Sequence, residues 1–78
     1  MSITVYSKPA CNQCDATNRA FDRVGLEISV IDMTQDLEAF EKVKAAGAQA
    51  APFVEVSFED GSTKSWAGFQ PEEILALV

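Results

Sequence analysis

Residues 1–32 carry a strand-helix-strand pattern, and no other feature of the chain narrows its fold as far. Ser2-Ile3-Thr4-Val5-Tyr6-Ser7 is short, rich in β-branched and aromatic residues and ends at Lys8-Pro9. It therefore predicts a strand that delivers the chain into a turn. From Asn12 to Val24 the pattern is helical. Ala16, Ala20, Phe21 and Val24 recur at helical spacing, Asp15, Arg19, Asp22 and Arg23 lie between them, and Gly25 supplies a stop. Leu26 to Asp32 predicts a second strand with Leu26, Ile28, Val30 and Ile31 turned inward. Two strands joined by a helix form a parallel pair with a right-handed crossover.

The remaining residues extend this unit. Thr34 or Asp36 can cap a second helix that carries Leu37, Phe40 and Val43 and ends at Gly47. Pro52 to Phe58 alternates, and the turn cluster Glu59-Asp60-Gly61-Ser62 leads into Thr63-Lys64-Ser65-Trp66, which predicts an antiparallel hairpin. Pro71 at a first helical turn, with Glu72 and Glu73 at the positive end of the dipole, opens a short closing helix whose apolar face is Ile74, Leu75, Leu77 and Val78. The order β-α-β-α-β-β-α predicts an α/β fold with a four-stranded mixed sheet flanked by three helices. A chain of 78 residues has room for one core, so residues 1–78 are expected to form a single domain.

Composition excludes several kinds of partner. Twelve acidic against six basic residues and no histidine give a net charge of -6, whereas a nucleic-acid partner needs clustered Lys and Arg to displace counterions. Neither an apolar run long enough to span a bilayer nor the basic and apolar regions of a signal peptide are found at the N-terminus. A soluble, cytoplasmic, monomeric protein with no membrane partner is expected. In that compartment thiols are kept reduced, and a disulfide closing so short a loop restrains the unfolded chain little. A structural brace is therefore a poor reason for the chain's only two cysteines, Cys11 and Cys14, to stand in Lys8-Pro9-Ala10-Cys11-Asn12-Gln13-Cys14.

Their position points to redox chemistry. If the helix starts at or just after Cys11, Cys14 lies one turn later on the same face, within reach of a sulfur–sulfur bond. Cys11 then sits where free N–H groups, the helix dipole and nearby Lys8 favour a thiolate, which makes it the expected nucleophile. Cys14, deeper in the helix, is the expected resolving cysteine, able to attack a mixed disulfide held on Cys11. A closed zinc site needs four ligands, and two cysteines without histidine cannot complete one in a single copy. A metal- or cluster-bridged dimer remains the non-enzymatic alternative. After a strand and at the start of a helix, C-x-x-C reads as a thioredoxin-like motif.

Three ordered stretches carry a family resemblance: the strand with Lys8 to Cys14, the pair Ala51-Pro52, and Trp66-Ala67-Gly68-Phe69-Gln70-Pro71. On these the chain resembles the thioredoxin superfamily, within its glutaredoxin-like branch, and is most similar to the NrdH-redoxins, which usually show C-x-Q-C, then Ala-Pro, then W-S-G-F-x-P. The likeness spans nearly the whole chain. It implies a glutaredoxin-like fold and a small dithiol electron donor, reduced by thioredoxin reductase and reducing the large subunit of class Ib ribonucleotide reductase. No bound cofactor is implied beyond the Cys11–Cys14 disulfide. This sequence departs from the usual pattern at Ala67, Ala50 and Phe53, which bears on partner choice more than on chemistry.

The resemblance also implies site residues. Pro52 would be cis and face the sulfurs, leaving Ala51 free to pair with an extended cysteine-bearing peptide; a proline opening a strand is the plainer reading. Gln13 comes from the C-x-Q-C pattern. Trp66 and Phe69 read equally as core aromatics or as a docking surface beside Cys11, with their loop packed on the end of the first helix. Lys8 reads equally as a group lowering the Cys11 pKa or as a solvated turn residue. Glutathione-using glutaredoxins present further groups for the tripeptide's carboxylates, including a Gly-Gly-x-Asp-like segment that Trp66 to Pro71 replaces here. A glutathione-dependent glutaredoxin is thus the second redox reading.

Overall fold

Strand alternation sorts the apolar residues onto two faces of one sheet. In a computed structural model, which describes residues 1–78, β1 (Ser2–Ser7), β2 (Ser29–Asp32), β3 (Phe53–Ser57) and β4 (Thr63–Ala67) pair in the order β2-β1-β3-β4. β2 is parallel to β1, and β3 is antiparallel to both β1 and β4, which makes the sheet mixed. Val5, Val54 and Trp66 lie directly across from one another, as do Ile3 and Val56. One residue on, Tyr6, Phe53 and Ala67 are in register and face the opposite side.

Each face carries its own core. Ile3, Val5, Val54, Val56 and Trp66 pack with Phe21 of helix α1 (Asn12–Arg23) and Ile74 of helix α3 (Pro71–Leu75). Tyr6 and Phe53 pack with Ala39 and Val43 of helix α2 (Leu37–Ala45). The three helices therefore flank the sheet on both sides. Full burial of side chains such as Phe21 and Ile74 stabilises the fold by about 1.5–3 kcal/mol each.

Local chemistry sets the element ends. Asp36 caps α2 by accepting the Ala39 N–H at 3.1 Å, while Thr34 closes a turn on the Asp32 carboxylate. Thr17 sits fully buried on α1 because its hydroxyl donates to the Gln13 carbonyl at 2.8 Å, which hides a polar group that periodicity alone does not place inside. Five expected inward residues, Val30, Leu37, Phe40, Leu75 and Val78, are exposed, and one strand starts later than expected. β2 starts at Ser29, because the Leu26 N–H is taken by the Phe21 carbonyl at the end of α1. Val30 stays half exposed, since β2 is an edge strand with one neighbour. Along α2, Ala39 and Val43 form the line that meets the sheet, leaving Leu37 and Phe40 outward. In the five-residue α3 only Ile74 is buried, and Leu75 and Val78 are exposed. No helix is long and apolar enough to cross a membrane.

Candidate redox site

β1 ends at Ser7, and the chain turns through Lys8, Pro9 and Ala10 before α1 begins. Ala10 takes φ 54°, a left-handed conformation that an alanine holds only when its surroundings impose it. Cys11 then adopts an extended conformation as the N-cap, and its Sγ accepts the Cys14 N–H at 3.1 Å. A sulfur thus occupies the place an aspartate or serine oxygen fills at most helix starts. The Cα atoms of Cys11 and Cys14 are 5.2 Å apart and their sulfurs are at bonding distance as a disulfide. Cys11 is 8% exposed and Cys14 only 2%, so an incoming group meets Cys11 first.

A second strand end completes the site. The Ala51–Pro52 bond is cis, and Pro52 is buried. Cys11, Lys8, Gln13, Ala50 and Ala51 line one hollow of about 370 Å³. Gln49 lines it too, a residue for which the sequence offered no signal beyond its place in the loop after α2. Neither the N–H nor the C=O of Ala51 enters any hydrogen bond. Lys8 is exposed and in no ion pair.

The Trp66 to Pro71 loop is tied to this centre at two points. The Gly68 N–H donates to the Pro52 carbonyl at 2.7 Å, and the Phe69 N–H donates to Gln13 Oε1 at 2.9 Å. The loop is therefore held at the N-terminal end of α1, beside Cys11. Trp66 does not share in that surface. It is 7% exposed and stacks on Phe21, ring centroids 6.5 Å apart, because its register opposite Val54 turns it to the core face. Phe69, at 38% exposed, is the aromatic left outside. No group of three or more His, Cys, Asp or Glu side chains comes together to hold a metal ion.

Comparisons with known proteins agree with this geometry. The family model for Glutaredoxin matches residues 3–59. The Glutaredoxin-like protein NrdH of Escherichia coli K12 is 35% identical over 77 residues, covering 99% of this chain and 89% of that protein. Its namesake in Lactococcus lactis is 31% identical, with 96% of this chain and 97% of the relative covered. The solved structure of the Escherichia coli NrdH-redoxin, described as having a thioredoxin-like activity profile, superposes with a TM-score of 0.88 over 100% of this chain and 96% of its own. Matched in this way along nearly its whole length, the chain belongs to the glutaredoxin family, in its NrdH-redoxin branch, and is a thiol–disulfide oxidoreductase.

Proposed function

We propose that this redoxin is a dithiol electron donor in which Cys11 is the nucleophile and Cys14 the resolving cysteine. The thiolate of Cys11 attacks one sulfur of a partner's disulfide and releases the other as a thiol, leaving a mixed disulfide on Cys11. The Cys14 thiolate then attacks Cys11 Sγ, frees the partner's second thiol and closes the Cys11–Cys14 bond. Two electrons and two protons pass to the partner, and no further cofactor is needed. The observation that carries this reading is Cys11 at the N-cap, its Sγ facing the Cys14 N–H and lining the hollow, while Cys14 lies beneath. A helix N-terminus favours negative charge on that sulfur.

The unpaired backbone of Ala51 offers an extended substrate segment a place to add as a strand beside Cys11, with Pro52, Gln13 and Phe69 framing it and Lys8 adding positive charge. Thioredoxin reductase is the proposed reductant and class Ib ribonucleotide reductase the proposed acceptor, supported by the likeness to NrdH and by the thioredoxin-like profile described for the Escherichia coli protein. Residues 1–78 would act as one domain and a monomer in the cytoplasm. Cys14→Ser is expected to accumulate a mixed disulfide with a disulfide substrate, seen as an intact-mass adduct, and Cys11→Ser to lose turnover. Appreciable turnover by Cys11→Ser, or an adduct on Cys14 in place of Cys11, overturns the assignment.

A further inference from the structure

A second groove, of about 450 Å³, adjoins the Cys11 hollow and shares Lys8, Gln49, Ala50 and Ala51 with it. Its apolar wall is Met33, Phe40 and Val43, and Lys44 lies at its margin. Phe40 is half exposed, an outward aromatic on a helix whose buried residues are Ala39 and Val43.

The charge in these two grooves runs against that of the molecule. Of the six Lys and Arg side chains, Lys42 and Lys64 are ion-paired, which leaves Lys8, Arg19, Arg23 and Lys44 free. Lys8 and Lys44 both line the second groove. None of the twelve carboxylates lines either groove, although three other surface hollows each carry at least one: Asp22 and Glu27 in the first, Asp36 in the other two. A chain of net charge -6 thus keeps a cationic, apolar strip beside its reactive sulfur.

Resting on the donor role proposed above, we infer that the partner of this strip is an extended segment of a disulfide protein carrying an apolar side chain and a carboxylate next to its cysteine. Ala51 lines both grooves with its backbone unpaired, so a strand added there runs from Cys11 into the second groove. Alternate residues of an extended chain face the same way, which places the apolar anchor about two residues from the cysteine, against Phe40 and Met33. The carboxylate faces Lys8 and Lys44. The overall negative charge repels unselected acidic proteins at long range, while the local cations reward one presenting its acid in register.

Peptides with a cysteine blocked as a 2-thiopyridyl disulfide test this with the reduced protein. Cys11 attacks the peptide sulfur and releases thiopyridone, and Cys14 then displaces the peptide thiol, so each turnover consumes the protein dithiol. One peptide carries Leu and Glu beside the cysteine, a second Leu and Gln, and a third Ser and Glu. At low ionic strength the Leu-Glu peptide is expected to react about threefold to tenfold faster than the Leu-Gln peptide, with the Ser-Glu peptide slower than Leu-Glu. Lys44→Gln should bring the Glu-to-Gln ratio close to one, and Arg23→Gln, with the same change of net charge, should leave it intact. The ratio cancels any change in Cys11 reactivity. A ratio at or below one in the unaltered protein, or one indifferent to Lys44→Gln, overturns the inference. So does a Lys44-dependent preference for glutathione disulfide over the Leu-Glu peptide. Failure of both Leu peptides to release thiopyridone would instead sink the donor role itself.

Discussion

At Gly68 the backbone takes φ +81°, and an added Cβ would come within 3.1 Å of Gln13 Oε1, the atom that holds the Phe69 N–H. A side chain is strained there by conformation and by contact alike. Gly68→Ala is expected to cost about 1–2 kcal/mol, read as a lower denaturant midpoint, and to loosen Phe69 beside the redox helix. An unchanged midpoint would show the loop absorbing the methyl. Trp66 and Phe69, two aromatics of one loop, should behave differently. Trp66→Ala empties a ring from the first core and is expected to cost about 3–5 kcal/mol, a large share of a small protein's stability. Phe69→Ala is expected to change stability by no more than about 0.5 kcal/mol, while slowing reduction by thioredoxin reductase at least severalfold. Equal stability losses in the two variants would contradict the division.

Between elements, α2 is tied to the sheet by the ion pair of Lys42 with Glu55 at 2.7 Å, with the lysine also 5.8 Å from the Tyr6 ring centroid. The hydrogen bond to the Glu55 carboxylate raises the Lys42 pKa above its ordinary 10.5, the Tyr6 hydroxyl adding to it. The protonated lysine is thus favoured in the folded state. Its stabilisation is fully present below 10.5 and is lost as pH climbs through the raised folded value. The side chain is half exposed, so Lys42→Met is expected to cost only about 0.2–1 kcal/mol at neutral pH. That difference should shrink above pH 10.5 in paired urea titrations; a difference that widens there contradicts the sign.

On the scale of the whole molecule, the parts legible in the sequence are those governed by local rules. Strand-turn-helix order, the caps, the hairpin and the place of Cys11 at a helix start all follow from residues close in the chain, and each lies where expected. What depended on distant contacts was hidden. Val30, Leu37 and Phe40 carry the same apolar signal as buried residues, and only the sheet order and the line of α2 that meets it decide that they face outward. Trp66 turned inward because of its register with Val54, which no spacing records. The cationic strip was invisible for the same reason, since Lys8 and Lys44 are far apart in sequence and meet only through the loop before Pro52.

The donor role itself is tested most directly by recovery of free thiols on Cys11 and Cys14 from the oxidised protein, with NADPH and thioredoxin reductase in one reaction and glutathione in another. Fast recovery with the reductase and slow recovery with glutathione is the predicted result. Fast recovery with glutathione alone would contradict it and make this redoxin a glutathione-dependent one.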